Sequence, residues 1–410
     1  GTIKSSENYE RRFIMTFPNE TLPKGRKQKT TALYDRFVNQ GAVMGDSFGL
    51  ENVLWFANNK EDAHEEPTIK RSRSHDYVSK EVINVRENVG LIEVANFSKH
   101  EFKGPDARKF LDHIMAGRLP KPGRISLSPM LSYRGKLCGD LTVACLDENE
   151  FMVFGSGAAQ EMHRRWFESH IDKFNLSYSN RSDEYHGLSI AGPNSRKVLE
   201  KIVRDDVSNE KFKFRDSRRM FVGGVPAIIN RISFTGELGY EIYVAPHYQL
   251  KLYEELMEAG KEFNIKPFGG RALMSMRLEK NWGAWTLDYR PDFTAKETGL
   301  DAFINWDKEF IGKESAQKEN SSNKLVPLIV ETNEIDVTNN EAVLNGDQSI
   351  GYVTSGGFAH FVNKSVAFTF VDQKNIKSEN KIQVEINGDL FNCSIIKEPL
   401  YDPSGQKMRS

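Results

Sequence analysis

Residues 135–157 read GKLCGDLTVACLDENEFMVFGSG, and two apolar runs flank the polar turn DENE. That pattern predicts two antiparallel β-strands joined by a tight connection. Side chains alternate along a strand, so Leu137, Leu141, Val143 and Cys145 share one face, which reads as core. Cys138, Asp140, Thr142 and Ala144 share the other. Aspartate is depleted in strands, and an ionised carboxylate on a half-buried face is costly unless something pairs with it. A small polar face carrying an acid suits the wall of a pocket. An exposed surface strand is the competing reading.

Outward from this hairpin the chain alternates helical and strand patterns. PDARKFLDHIMAG carries Phe110, Leu111, Ile114 and Met115 at helical spacing. AAQEMHRRWFESHIDKF, PNSRKVLEKIV, YQLKLYEELMEAGKEF and GGRALMSMRLEKNWG read as further helices, with GVPAIINRISF and GYEIYVA as strands between them. Residues 1–78 read as an arm and linker across the main body, with an aromatic knot from Phe48 to Phe56. Residues 79–311 form the α+β body. A polar linker is expected near 312–324, followed over 323–402 by short strands separated by turns. Such regular strands predict a small all-β barrel or sandwich.

The 410 residues carry a formal net charge of −1, with 39% hydrophobic and 28% charged residues, which describes a globular protein with a sizeable core. The balance argues against a nucleic-acid partner. No apolar run approaches the roughly 18 residues of a membrane span. Three cysteines without a CxxC point to a reducing compartment, and a cytoplasmic location is expected. The opening GTIKSSENYERR has neither an initiator Met nor a signal pattern. It reads as a tag scar on a chain that starts inside a longer polypeptide.

Several tempting motifs fail. GSGAAQ (155–160) lacks the third glycine of a dinucleotide-binding turn and reads as a tight strand-to-helix connection. The nine histidines form no HxH or HExxH, so no metal centre is expected; His163 and His170 are read as surface residues of one helix face. The basic run KRSRSH (70–75) reads as a solvated face, with an anion contact as the weaker alternative. More telling are two further charges with apolar neighbours. In GYEIYV, Glu241 and Tyr243 share the strand face opposite Tyr240, Ile242 and Val244. Arg277 follows Leu273 and Met274 on an apolar helix stripe, so its guanidinium is expected to be semi-buried and aimed at an anion. Two carboxylates and an arginine on separate elements exceed what a packing core needs.

At these residues the sequence resembles the glycine-cleavage T-protein family of tetrahydrofolate-dependent aminomethyltransferases. SPMLSYRGKLCGDLTV, GLSIAGPNSRKVL, RISFTGELGYEIYV, RALMSMRLEKNWGAW, EFIGKES and IGYVTSGG occur in the family's order. Within it, the arm FPNETLPKGRKQKTTALYDRF, the knot GAVMGDSFGLENVLWFA, the GDLTV strand and the ending KEPLYDPSGQKMR are most similar to the folate-binding C-terminal half of dimethylglycine and sarcosine dehydrogenases. The resemblance implies a T-protein-like, multi-domain folate-binding body with a C-terminal β-barrel. It implies that Asp140 is the essential acid beside the reduced ring nitrogens, with Thr142 its neighbour. Glu241 would pair with the pterin's amino-pyrimidine edge, Arg277 would contact the folate, and Ser156 and Gly157 would touch the pterin. Phe234 stands where many T-proteins have tyrosine, leaving stacking without a hydroxyl contact. Arg73–His75 lack the aromatics of the animal dehydrogenases and are assigned no role.

The implied activity is one-carbon transfer to tetrahydrofolate from an iminium or formaldehyde donor. FAD is expected only in a flavin-binding half that precedes this one in a longer parent protein. Two alternatives are a sulfonium demethylase of the dimethylsulfoniopropionate type and a non-catalytic folate-binding module. The last carries a cysteine in the segment matching EFIGKES, which is absent here, and Asp140 is retained.

Overall fold

The computed structural model describes residues 1–376 and 381–410. Its strands are, in order, β1 Ala42–Ser47, β2 Leu50–Phe56, β3 Val89–Glu93, β4 Phe97–Lys103, β5 Arg124–Leu131, β6 Leu137–Asp147 and β7 Glu150–Ser156. There follow β8 Ser177–Asn180, β9 His186–Ala191, β10 Ser217–Val222, β11 Val225–Asn230, β12 Gly239–Val244 and β13 Ile265–Pro267. The C-terminal strands are β14 Asn323–Val330, β15 Ala342–Asn345, β16 Gln348–Ala359, β17 Lys364–Asp372, β18 Ile382–Ile386 and β19 Asp389–Ile395.

Two sheets make the body. One runs β5-β6-β7-β4-β8, the other β10-β11-β12-β9-β3-β13. Each has an apolar outer face covered by helices. Phe110, Leu111 and Ile114 of helix Ala107–Ile114 pack with Phe102, Leu141, Val143, Phe151 and Val153 on the first sheet. Leu252 and Leu256 of helix Gln249–Ala259 pack with Ile190, Ile242 and Val244 on the second. The inner faces meet in a third cluster that joins Ala144, Met152 and Phe154 to Ile92, Ile228 and Tyr243. The β1–β2 hairpin contributes Trp55, fully buried, to that layer. The strands β14-β17-β16-β15-β18-β19 close into the expected C-terminal barrel. Among the described residues, no helix is long and apolar enough to cross a membrane, and no cluster of His, Cys, Asp or Glu could hold a metal.

The structure corrects or refines several readings. Cys138 does not share the Asp140 face: the β5–β6 register slips between Met130 and Leu131, and the resulting bulge turns Cys138 into the Leu141 core. His163 is 1% exposed, not a surface residue, and its Nε2 lies 3.0 Å from the Cys138 carbonyl. His170 lies beyond the helix, which ends at Glu168. The basic run is no free face: Lys70 and Arg71 pair with Glu334 and Asp336 of the barrel region, and Arg73 with Asp62 and Glu66. Finally, the linker contains a short helix, Lys313–Gln317, and strand β15 had no sequence signal strong enough to separate it from its turn.

Candidate active site

The inner layer between the sheets is apolar over most of its area, and its polar residues cluster. β6 carries Asp140 and Thr142 into it. Asp140 stands opposite Pro129 of the edge strand β5, which has no N–H to offer. Protein atoms surround the Asp140 carboxyl, although part of the residue's surface still meets solvent. Burial pushes its pKa up to about 7, and only its own backbone N–H acts in the other direction. The phenol of Tyr289 is raised by burial and then by the charge of Asp140.

Thr142 pairs across the ladder with Phe154 of β7. The Phe154 ring stacks on Tyr243 of the other sheet, with centroids 4.7 Å apart and planes at 30°. Tyr243 in turn donates its hydroxyl to Glu241 Oε2 at 2.8 Å. A continuous wall therefore runs from Asp140 through Thr142, Phe154 and Tyr243 to Glu241. Glu241 is 8% exposed, and among the described residues nothing donates to its Oε1. Burial raises its pKa to about 7, opposed by the Tyr243 hydrogen bond and the charge of Lys99.

Ser156 ends β7 opposite Phe97 of β4, and Gly157 opens the following helix. A Cβ at Gly157 would lie 2.1 Å from the Asn96 carbonyl oxygen, so only glycine lets the two backbones approach this closely. Phe234, on the β11–β12 loop, stacks on Trp282 at 5.7 Å. Arg277 is 1% exposed and finds its anion within the chain. Nη1 donates to Asp288 Oδ2 at 2.6 Å and to the Trp282 carbonyl at 3.0 Å, and Nη2 donates to Ser355 of the barrel at 2.9 Å. The predicted residues thus fall into two groups. Asp140, Thr142 and Glu241 line one wall, with Ser156 and Gly157 at the end of its β7 strand. Phe234 and Arg277 meet at Trp282. The turn 282–289 joins the groups, because Asp288 holds Arg277 while its neighbour Tyr289 feels Asp140.

Sequence reasoning did not single out Tyr289, Phe154 or Lys99. A lone Lys99 in FSKHEFK looks solvent-exposed, yet alternation from Phe102 puts it on the inner face.

Comparisons with known proteins agree with this architecture. The GCVT N-terminal domain family model matches residues 33–308, and the glycine cleavage T-protein C-terminal barrel domain matches residues 323–402. The mitochondrial dimethylglycine dehydrogenase of Homo sapiens is 33% identical over 406 residues, covering 97% of this chain and 47% of that protein. The chain thus spans about half the length of the dimethylglycine dehydrogenases it matches. An aminomethyltransferase of Thermotoga sp. (strain RQ2) is 28% identical over 378 residues, covering 91% of this chain and 98% of that protein. The glycine cleavage system aminomethyltransferase T of Bartonella henselae, 22% identical, shares the fold with a TM-score of 0.80 over 92% of this chain and 99% of that one.

Proposed function

The chain belongs to the glycine-cleavage T-protein family, and from that premise we propose that it is a transferase moving a one-carbon unit onto tetrahydrofolate to form methylenetetrahydrofolate. The observation that carries this reading is the pair of enclosed carboxylates, Asp140 and Glu241, which reach the inner layer without a full set of protein donors. Reduced folate, when bound, supplies weakly basic ring nitrogens that accept the one-carbon unit. The residues fit such a group. Among the described residues, nothing donates to Glu241 Oε1, which leaves it for a ligand N–H, and no side chain satisfies the Asp140 carboxyl.

In this reading Glu241 takes two adjacent N–H donors of the amino-pyrimidine edge, and Tyr243 holds that carboxylate in place. Asp140 accepts a proton at Oδ and supports positive charge as it develops. A group titrating near neutrality suits this task, and such acid–base help is worth about 10²–10⁴ in rate. Thr142, Ser156 and Gly157 form the wall beside the ring, and Phe234 offers its face alone. Arg277 acts at one remove, by fixing Asp288 and with it the turn bearing Tyr289.

The finer proposal is that this is the folate half of a dimethylglycine dehydrogenase-like enzyme. The 33% identity along nearly the whole chain supports it. The donor would be an iminium or formaldehyde delivered by a covalently linked flavin domain carrying FAD. The test is Asp140→Asn, which keeps the shape of the residue. Tetrahydrofolate affinity should stay within a few fold, while methylenetetrahydrofolate formation from formaldehyde falls by about 10²-fold or more. Turnover equal to wild type would remove Asp140 from the chemistry.

A further inference from the structure

Three consecutive residues of β6, Cys138, Gly139 and Asp140, have few ties to their own sheet. β7 pairs with β6 only from Thr142 onward. On the β5 side Gly139 faces Met130 and Leu137 faces Leu131, so Cys138 is the extra residue of the bulge and has no counterpart. Asp140 itself faces Pro129, which lacks an N–H. The ladder therefore does little to fix the backbone from which the proposed acid projects.

A side chain from another element does so instead. His163, on helix Gln160–Glu168 behind the sheet, is buried, and its Nε2 lies 3.0 Å from the Cys138 carbonyl oxygen. A carbonyl only accepts, so Nε2 carries the hydrogen. Nδ1 is buried without a partner among the described residues, and a proton there would be stranded. Burial accordingly pushes the ring's pKa down to about 4, and the imidazole is neutral when the acid works.

Two glycines make room for this ring. A Cβ at Gly139 would stand 2.9 Å from Nε2, and one at Gly155 of β7 would stand 3.1 Å from Nδ1. Neither glycine has a positive φ, so these positions need space and not backbone freedom. Leu141 borders both, which closes a socket for the imidazole on the outer face of the sheet. Side chains alternate along β6, so Gly139 and Leu141 face His163 while Asp140 faces the inner layer. His163 thus stands behind the acid, on the other side of the sheet.

On the reading that Asp140 takes the proton, we propose that His163 is a positioning residue for that reaction. Its Nε2–H grips the bulge carbonyl two residues before Asp140 and fixes the angle at which β6 delivers the carboxyl. Bulges beside reacting groups re-aim side chains, and this one is held by a donor from a separate helix. Without that donor the fold persists, but the carboxyl loses its fixed place. Misplacement by about 1 Å can cost about 10²-fold in rate. Glu241 belongs to the other sheet, so the binding wall around it stays as it is.

A double-mutant cycle tests this, with methylenetetrahydrofolate formation from formaldehyde read as kcat and tetrahydrofolate affinity read by calorimetry. His163→Leu keeps the bulk of the side chain and loses the donor. It should lower kcat by about 10- to 100-fold and leave affinity within a few fold. His163→Gln, which can return an N–H near the Nε2 position, should recover most of that loss. In the Asp140→Asn background His163→Leu should cost less than about threefold, because no carboxylate is left to aim. His163→Met takes the place of the Leu variant if that one does not fold. Turnover by His163→Leu equal to wild type overturns the proposal. So does the same fold loss on both backgrounds, which a residue serving stability alone would give. Wild-type turnover by Asp140→Asn overturns the reading of Asp140 itself, and no result from the His163 variants can mimic that outcome.

Discussion

Asp140 and Asp288 are both acids surrounded by protein, and they differ in what answers their charge. Asp288 accepts four hydrogen bonds: Thr354 and Ser355 hydroxyls at 2.6 and 2.7 Å on Oδ1, Arg277 and the Ala284 N–H at 2.6 and 3.0 Å on Oδ2. Among the described residues, Asp140 has only its own backbone N–H. Glu241 stands between them with one hydroxyl. A buried charge with its partners in place ties elements together, here helix Gly270–Glu279 to the barrel strand β16. One without partners makes the folded chain bear a desolvation cost that a ligand can relieve. Partner count separates framework from site, and Asp140 also keeps the solvent contact that the fully buried Asp288 lacks.

The comparison breaks most visibly if Asp288 is removed. Asp288→Ala strands the Arg277 guanidinium in the interior and should lower stability by about 3–5 kcal/mol, read as a shifted urea midpoint. Replacing both Arg277 and Asp288 by apolar residues should recover much of that loss, since the uncompensated charge goes too. A midpoint unmoved by Asp288→Ala would mean that the cluster does not hold barrel to body.

Glu241→Ala should do the opposite, weakening ligand binding while leaving the empty protein far less affected than Asp288→Ala does. Loss of a charge-assisted pair costs about 1.5–3 kcal/mol, or roughly 10- to 150-fold in folate affinity. Unchanged affinity by calorimetry would exclude Glu241 from the binding wall.

The smallest effect lies in the pH dependence of stability. Burial raises the Asp140 pKa, so the folded chain keeps a proton that the unfolded chain has lost. The group's favourable contribution is therefore present at low pH and is lost as pH rises from about 4 towards 7. Asp140→Asn should flatten that segment of the stability curve and leave the variant at least as stable as wild type at pH 8. The difference should be on the order of 1 kcal/mol, because the carboxyl keeps partial contact with solvent. Melting curves at pH 5 and pH 8 that run parallel for the two proteins would indicate that Asp140 is not desolvated.

Much of this was legible in the chain itself. Period-two alternation put Asp140 and Thr142 on one face of their strand and Glu241 and Tyr243 on one face of theirs, and helical spacing buried Phe110, Leu111 and Ile114. These are local properties, fixed by the geometry of a strand or a helix over a few residues. What failed was long-range or irregular. A single bulge reversed the facing of Cys138, which no alternation rule anticipates. Lys70 meets Glu334 across 264 residues of sequence. Arg277 announced a need for an anion, but only the folded 282–289 turn revealed that the anion is Asp288. The sequence alone determined which side chains share one face of a regular strand or helix. Tertiary structure decided which of the buried charges are answered from within the chain and which, like Asp140 and Glu241, are left open, because pairing depends on elements brought together from distant parts of the chain.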